Sequence, residues 1–507
     1  MASFPPYTID EWVSQLPNFM KRSIRLVAAI CCLWLPLLGL GQIKLPALIG
    51  DNMVLQQQSR APLWGWADPG TTVTVQGSWD TKAVARAKAG EDGKWMVRVK
   101  TPAAGGPYEV TITGKQTTVL HNVLIGEVWV CSGQSNMEMP LSGWSGAPLL
   151  HSTEEINAAR YPQIHLFTVK RNIAFQPQQD CDGQWAECTP ETAASFSATA
   201  YFFGRQLYEK LHVPIGLIHS SWGGTVAEAW TSESALRKLG DFDQALNRAD
   251  SLAPHVDQIR QQHQQDKNSR SVVDNPNTVT VLYNGMIAPL IPFSIRGAIW
   301  YQGEANVGRA QQYERLFPTM IADWRHRWQE GNFPFYFVQI APYPYGGDST
   351  KAAALRDAQR KSLHVPHTGM VVTLDIGNPK NIHPANKQEV GRRLSLWALA
   401  NTYGLKDIVY SGPLYAGMKI NGSTIRVSFD HADGGLMAKG GTLGHFEIAG
   451  ADGHFVPAQA HIAGQQVIVQ AQGITAPKAV RYGWSDTAEP HLFNQAGLPA
   501  SSFSTTP

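Results

Sequence analysis

The chain has no excess of charge of either sign. Its 507 residues include 42 Lys and Arg against 40 Asp and Glu, which gives a net charge of +2, and only 16% of the residues are charged. No basic run or stacking array is present, so we do not expect nucleic acid as a partner. Because 43% of the residues are hydrophobic, the composition is that of a globular chain. The length suggests two or three domains.

Patterns that bind metals and nucleotides are also missing. No cluster of Cys and His residues has metal-ligand spacing, and neither a P-loop nor a Rossmann glycine fingerprint occurs. We therefore expect an activity that uses no metal and no cofactor.

The apolar run near the N-terminus is short. Leu26–Leu40 carries no charge and follows the basic segment from Met20 to Arg25. A comfortable membrane span needs about 20 residues, so we expect no span in the mature chain. The pattern is typical of a secretory signal peptide at about 20–41, within an N-terminal extension of residues 1–42. We expect the true start at Met20, and a secreted or periplasmic mature chain that begins near Gln42.

Few cysteines would remain after removal of that signal. Cys131 lies in a predicted strand, where we expect it to serve packing. In an oxidising compartment, Cys181 and Cys188 can bridge the short loop between them, and two free thiols are the alternative. We expect the bridged form.

The pattern along the chain predicts three regions of structure. Residues 43–125 show short β runs divided by Gly and Pro turns, as in a small β-sandwich. In residues 126–405, buried strands alternate with helices, which predicts a parallel sheet covered by helices on both faces. The polar stretch 240–280 is expected to run over the surface. Residues 406–507 return to a β-rich pattern.

Three segments place polar residues after apolar runs, and a fourth places His383 in a loop just ahead of a predicted helix. In an open α/β sheet, the carboxyl ends of the strands form the ligand-binding edge. A serine there can act as a nucleophile if a base reaches it, and glycines let backbone N–H groups approach a ligand. Strand ends with Ser, Gly, Gln or Asn, and then His, suit acyl transfer. The candidates are Ser135, Gly223, Gly224, Gln302, Glu304, Asn306 and His383.

These segments resemble the blocks of the SGNH (GDSL-like) hydrolase superfamily, and more narrowly the sialate O-acetylesterase-like carbohydrate esterases. The matching stretches are G-Q-S-N-M, W-G-G-T, W-Y-Q-G-E-A-N and I-H-P-A-N-K-Q-E-V-G-R-R-L. The likeness covers nearly all of the chain after residue 43. It implies an SGNH-type catalytic domain over 126–405 and a serine esterase without a cofactor. The implied substrate is an acetylated saccharide, either a sialic acid or a plant-wall glycan such as xyloglucan or xylan.

The resemblance assigns roles to most of the candidates. Ser135 is the expected nucleophile and His383 the general base. The expected oxyanion donors are the backbone N–H of Ser135 and that of Gly223 or Gly224, with a side-chain amide. The superfamily supplies that amide from an Asn in its third block, and Gln302, with Asn306 behind it, is the nearest match here.

The acid that would orient His383 departs from the superfamily pattern. Lys380 stands three residues before His383, where an Asp is usual, and Asn381 is also neutral. Glu304 is our first choice for the acid, Asp375 at a predicted strand end the second, and a Ser-His dyad the third possibility. The missing Asp also keeps open a rival function, a carbohydrate-binding protein on a hydrolase fold that has lost activity. A separate alternative is a hydrolase of another ester or amide, such as a lipase or a peptidase.

Overall fold

The computed structural model describes residues 43–265, 271–432 and 434–506. The N-terminal extension and the expected signal peptide lie outside the described residues. The predicted α/β class, with β-rich regions at both ends, is confirmed. The three domain boundaries stay predictions. No helix within the described ranges is both long and apolar enough to cross a membrane.

The N-terminal region is built from strands with alternating burial. In β3, for example, Val73 and Val75 are fully buried, while Thr72 is exposed and Thr74 is half-buried, which is the period of two of a half-buried strand. One sheet pairs β2 with β5, and a second joins β3, β4, β6, β1 and the first part of β7. The strands are β1 (Val54–Gln56), β2 (Arg60–Trp66), β3 (Thr72–Gly77), β4 (Ala85–Lys88), β5 (Lys94–Lys100), β6 (Gly105–Thr113) and β7 (Thr117–Gly133).

The long strand β7 continues into the central sheet of the catalytic region. The strand order there is β13-β12-β11-β7-β10-β8-β9. All of these neighbours are parallel except β8 and β9. The further strands are β8 (Tyr161–Thr168), β9 (Trp185–Cys188), β10 (Ile215–Ser221), β11 (Gly297–Tyr301), β12 (Phe335–Val338) and β13 (Thr368–Val371). The centre of the sheet therefore lies at β7, whose carboxyl end carries Ser135.

Helices cover both faces of this sheet, as predicted. Trp300 of β11 packs with Phe317 and Trp324 on one face, while its neighbours Ile299 and Tyr301 join a separate hydrophobic cluster on the other. The helices are α1 (Ser135–Glu138), α2 (Ser152–Ala158), α3 (Pro190–Ala194), α4 (Ala198–Leu211), α5 (Glu233–Leu239), α6 (Asp243–Leu252), α7 (Val256–Gln265), α8 (Ala310–Trp328), α9 (Lys351–Lys361) and α10 (Lys387–Asn401).

The expected Cys181–Cys188 bridge is wrong in this structure, because both thiols are free. Cys188 packs on the same side of the sheet as Tyr201, whereas Cys181 packs with Trp185 on the other side. Burial raises the pKa of each of the two thiols to about 12. Cys131 is fully buried in the core, which agrees with the packing role expected for it.

The C-terminal region is a set of small antiparallel sheets that packs on the catalytic region. The side chain of Arg356 on α9 is buried and contacts the carbonyls of Gly483 and Ser485, while Asp486 accepts from the Ala352 N–H at 2.7 Å. Its strands are β14 (Leu414–Asn421), β15 (Thr424–Asp430), β16 (Leu436–Ala438), β17 (Phe446–Ala449), β18 (Phe455–Pro457), β19 (Gln459–Ala463), β20 (Gln466–Gln470), β21 (Ala479–Tyr482), β22 (Leu492–Asn494) and β23 (Phe503–Ser504).

Candidate active site

Ser135 lies at the carboxyl end of β7, where the chain turns sharply into α1. Gly133 has φ +142°, and a Cβ there would lie only 2.2 Å from the carbonyl oxygen of Tyr301 on β11. Only glycine therefore fits this close approach. The Gln134 N–H then donates to the Tyr301 oxygen at 2.9 Å. The turn leaves the partly exposed Ser135 as the first residue of α1, with no described acceptor for its backbone N–H.

Of the two glycines expected to serve the oxyanion, only Gly224 has an uncommitted N–H. Gly223 lies beside Ser135, since a Cβ on it would be 3.2 Å from that of the serine. Its N–H, however, donates to Glu138 Oε2 at 2.8 Å. Gly224 is exposed at φ +73°, and its N–H has no acceptor among the described residues. The Gly223 alternative is therefore not supported by this geometry.

The amides of Gln302 and Asn306 are turned inward. Gln302 Nε2 donates to Asn306 Oδ1 at 2.6 Å and to the Thr225 carbonyl at 3.0 Å. Asn306 Nδ2 donates to Glu228 Oε2 at 2.9 Å. Both side chains are buried, and both amides are used in holding the segment after Gly224. This arrangement supports the loop and does not support an oxyanion role for either amide.

Gln134 has no role in the sequence analysis, but its side-chain amide is better placed for an oxyanion role than those of Gln302 and Asn306. Its Oε1 accepts from the N–H groups of Gly303 and Ala305 at 3.4 and 3.2 Å, which fixes the orientation of the amide. Its Nε2 group has no acceptor within the described part of the chain. The position next to Ser135 in Gly-Gln-Ser-Asn was the available signal.

His383 lies in the loop between β13 and α10. Its backbone N–H donates to Asn381 Oδ1 at 3.0 Å. Its ring packs edge-on against Trp144, with 5.0 Å between the ring centroids. Burial and, as the smaller cause, the nearby cation of Lys387 together lower the pKa of His383 to about 4. The imidazole is therefore neutral near pH 7, which is the form that a general base requires.

The side chain of Asn136 joins the serine helix to the histidine loop. Its Nδ2 donates to the Ile382 carbonyl at 3.1 Å, and Ser135 and His383 are the chain neighbours of these two residues. No hydrogen bond joins Ser135 Oγ to the imidazole in the described structure, and such bonds are often long in free enzymes. The fold thus brings the predicted nucleophile and the predicted base to one place.

Neither candidate acid contacts His383. Glu304 is buried, its Oε1 accepts from Asn136 Nδ2 at 2.6 Å, and its Oε2 has no partner in the regions described. Burial raises the pKa of Glu304. Asp375 lies beyond the end of β13, and its two oxygens accept from Arg393 at 2.7 and 2.6 Å. The role of Glu304 as an orienting acid therefore has no direct contact behind it.

A second Ser-His contact, not foreseen from the sequence, occurs at the end of β10. His219 Nε2 lies 2.5 Å from Ser221 Oγ, and both side chains are buried. Burial lowers the pKa of His219 to about 4. Because Ser221 faces the interior while Ser135 is partly exposed, the former serves as a matched control for the latter.

A serine and a histidine near the carboxyl edge of a parallel sheet are typical of α/β enzymes of the hydrolase class. Residues 270–399 match the family model described as carbohydrate esterase, sialic acid-specific acetylesterase. The chain is 31% identical over 499 residues to a sialate O-acetylesterase of Rattus norvegicus, with 88% of this chain and 90% of that protein covered. It is 35% identical over 419 residues to that of Homo sapiens, with 74% of each covered.

A carbohydrate acetylesterase from Xanthomonas citri has the same fold. Its crystal structure superposes with a TM-score of 0.80 at 37% identity and covers 92% of this chain and 100% of that one. The chain therefore belongs to the sialate O-acetylesterase family and is a carboxylic ester hydrolase. The family predicted from the four sequence segments is confirmed.

Proposed function

We propose that this chain removes O-acetyl groups from saccharides through an acyl-enzyme on Ser135. Ser135 Oγ attacks the acetyl carbonyl carbon, and its proton passes to His383. The tetrahedral intermediate collapses, and the sugar oxygen leaves with the proton from His383. Water, deprotonated by the same imidazole, then releases acetate and restores the serine. Two chemical steps with a covalent intermediate give ping-pong kinetics.

The oxyanion of each tetrahedral intermediate needs hydrogen-bond donors. We assign the backbone N–H groups of Ser135 and Gly224 and the Nε2 group of Gln134, since none of the three has an acceptor in the described structure. Removal of one such donor costs about 3 kcal/mol of transition-state stabilisation in related chemistry.

The observation that carries this proposal is the hydrogen bond from Asn136 Nδ2 to the Ile382 carbonyl. It connects the residue after the nucleophile to the residue before the base, although these are 246 positions apart in the chain. An inactive binding protein would have no need of a neutral imidazole held near a partly exposed serine.

Aromatic side chains near the site support a saccharide substrate. Trp144 packs against His383, and Trp222 precedes Gly223 with the Arg171 guanidinium 5.1 Å from its ring centroid. Partly exposed indole rings are suitable platforms for sugars. Acetylated sialic acids and acetylated plant-wall glycans such as xyloglucan or xylan are the proposed substrates.

A pair of serine variants tests the nucleophile. Ser135→Ala should abolish hydrolysis of p-nitrophenyl acetate with an unchanged melting curve, while Ser221→Ala should keep most of the activity. His383→Ala should be almost as severe as Ser135→Ala, because the hydroxyl is a poor nucleophile without its base. Activity of Ser135→Ala within about tenfold of wild type would place the nucleophile elsewhere.

A substrate panel tests the saccharide. Acetate release should be measured with acetylated sialic acids and with acetylated xyloglucan, xylan and mannan fragments. Hydrolysis of none of them, together with turnover of the p-nitrophenyl ester, would favour a different acyl ester as substrate. We also propose export of the chain with removal of the segment at 20–41, so that the mature chain begins near Gln42. Mass spectrometry of exported protein that still carries this segment would refute the removal, and a chain found only in the cytoplasm would refute the export.

A further inference from the structure

Lys387, the first residue of α10, is a fully buried lysine beneath the proposed site. Its Nζ donates to Asn136 Oδ1 at 2.6 Å and lies 5.4 Å from the ring centroid of Tyr301. Lysine is almost never fully buried unless its charge has a partner. A buried lysine in contact with the residue after the nucleophile therefore calls for a functional explanation.

The opposite charge lies at the other end of the same amide. Glu304 Oε1 accepts from Asn136 Nδ2 at 2.6 Å, so the amide stands between an ammonium and a carboxylate. An ammonium group can only donate hydrogen bonds, and an ionised carboxylate can only accept them. Together they determine that Asn136 Oδ1 faces Lys387 and that Nδ2 faces Glu304. Only in this orientation can Nδ2 also donate to the Ile382 carbonyl.

We propose that Lys387 is a positioning residue of the hydrolytic site. By holding the Asn136 amide in one orientation, it fixes the loop that carries His383 against the helix that carries Ser135. This inference rests on the proposed function, since it assumes that these two residues perform the reaction.

The charge of Lys387 provides a readout that a purely structural role would not change, namely the pKa of His383. The titratable groups around the Asn136 amide are Lys387 on α10, Glu304 after β11 and the Tyr301 hydroxyl, which burial keeps neutral by raising its pKa. Burial lowers the pKa of Lys387 to about 7, against the opposing effect of the Glu304 carboxylate. The Lys387 cation in turn lowers the pKa of His383. Its removal should therefore raise the pKa of His383.

Lys387→Met tests the proposal, because methionine has similar length but neither charge nor donor. We expect kcat for p-nitrophenyl acetate to fall by about tenfold or more, with KM within about twofold. The acid limb of the kcat/KM profile should move to higher pH. Lys380→Met, which removes an exposed lysine from the loop before His383, is the matched control and should leave both unchanged.

A double variant protects the test against misfolding. Lys387→Met leaves the carboxylate of Glu304 without its counter-charge, whereas Lys387→Met with Glu304→Gln removes both buried charges together. The double variant should melt like wild type, and its kcat should lie below that of Glu304→Gln alone, with the acid limb displaced to higher pH. Wild-type kcat and an unmoved limb in a folded variant would overturn the role of Lys387. Retained activity in Ser135→Ala would instead overturn the proposed function, so the two failures are distinguishable.

Discussion

Glu304→Gln separates a carboxylate that acts directly on the imidazole from one that acts through a neighbour. Glu304 Oε1 accepts from Asn136 at 2.6 Å, and no hydrogen bond joins either of its oxygens to His383 in the described chain. Glutamine keeps an oxygen for Asn136, removes the charge and replaces the unpartnered Oε2 by an NH2 group. We therefore expect a modest loss of kcat, not the loss of several orders of magnitude expected for a triad acid.

The size of the loss follows from the single hydrogen bond that changes. A hydrogen bond to a charged group contributes roughly 1.5–3 kcal/mol, and a neutral one roughly 0.5–1.5 kcal/mol. The difference of about 1 to 1.5 kcal/mol corresponds to a factor of about ten in rate if it is felt fully in the transition state. Lys387 can release its proton when Glu304 is neutral, because burial already lowers its pKa to about 7. Little further loss from an unpaired charge is expected.

The assay is steady-state hydrolysis of p-nitrophenyl acetate, an activated ester that makes few contacts away from the reacting group. Asp375→Asn is the comparison, because it changes the other candidate carboxylate. Asp375 is paired with Arg393 at 2.7 and 2.6 Å, so its loss should lower the melting temperature and leave kcat of the folded enzyme nearly unchanged.

A direct role for Glu304 would give a different result. Replacement of a triad carboxylate by its amide lowers kcat by about 10⁴. A loss of that order in Glu304→Gln, with a wild-type melting curve, would show that the carboxylate reaches His383 in the reacting complex. The reasoning from Asn136 as the intermediary would then be refuted.

Two further results follow from the site geometry. The pKa of His383 is lowered to about 4, so this base stays neutral down to that pH. We therefore expect kcat/KM to stay level from neutral pH downward and to fall only as the pH passes through about 4. A fall centred near pH 6.5, the usual pKa of histidine, would contradict this expectation. Gly133→Ala should lower the melting temperature and the activity, since its Cβ would lie 2.2 Å from the Tyr301 oxygen. Gly331→Ala, at a positive φ with open space around it, should cost only about 1–2 kcal/mol. Equal melting temperatures for the two variants would contradict the steric argument.

The features that local pattern determines could be predicted from the sequence. Alternation of apolar and polar residues over 72–75 predicts a strand, and β3 occupies Thr72–Gly77. Ser135 follows an apolar run, so its place at the carboxyl edge of the sheet follows from the rule for parallel strands. Asp375 is expected at a strand end, yet β13 ends at Val371, since element ends depend on tertiary contacts.

The direction in which a buried amide points could not be predicted. Gln302 follows a strand as an oxyanion donor would, but its amide faces Asn306 and Thr225. The Ala227 N–H, 79 positions away, donates to Asn306 Oδ1 and helps to fix that network. A lysine at the first position of a helix is expected to be exposed, and Lys387 is buried only because three separate segments pack around Asn136. Hydrogen-bond partners distant in sequence decide these roles.

Burial and the Lys387 cation lower the pKa of the proposed base, His383, and no hydrogen bond or ion pair joins it to a carboxylate of the described residues. Asp375 accepts from Arg393, and Glu304 accepts from Asn136 Nδ2. A histidine with a pKa near 4 is a weaker base than one near 6.5, but it is almost wholly neutral over the range in which most carboxylates are ionised. His383 is therefore a weaker base than an ordinary histidine, but it is neutral and able to accept a proton at mildly acidic pH. Such a base suits an ester, whose alcohol leaves more readily than the amine of an amide, and this agrees with the ester hydrolase class of the chain.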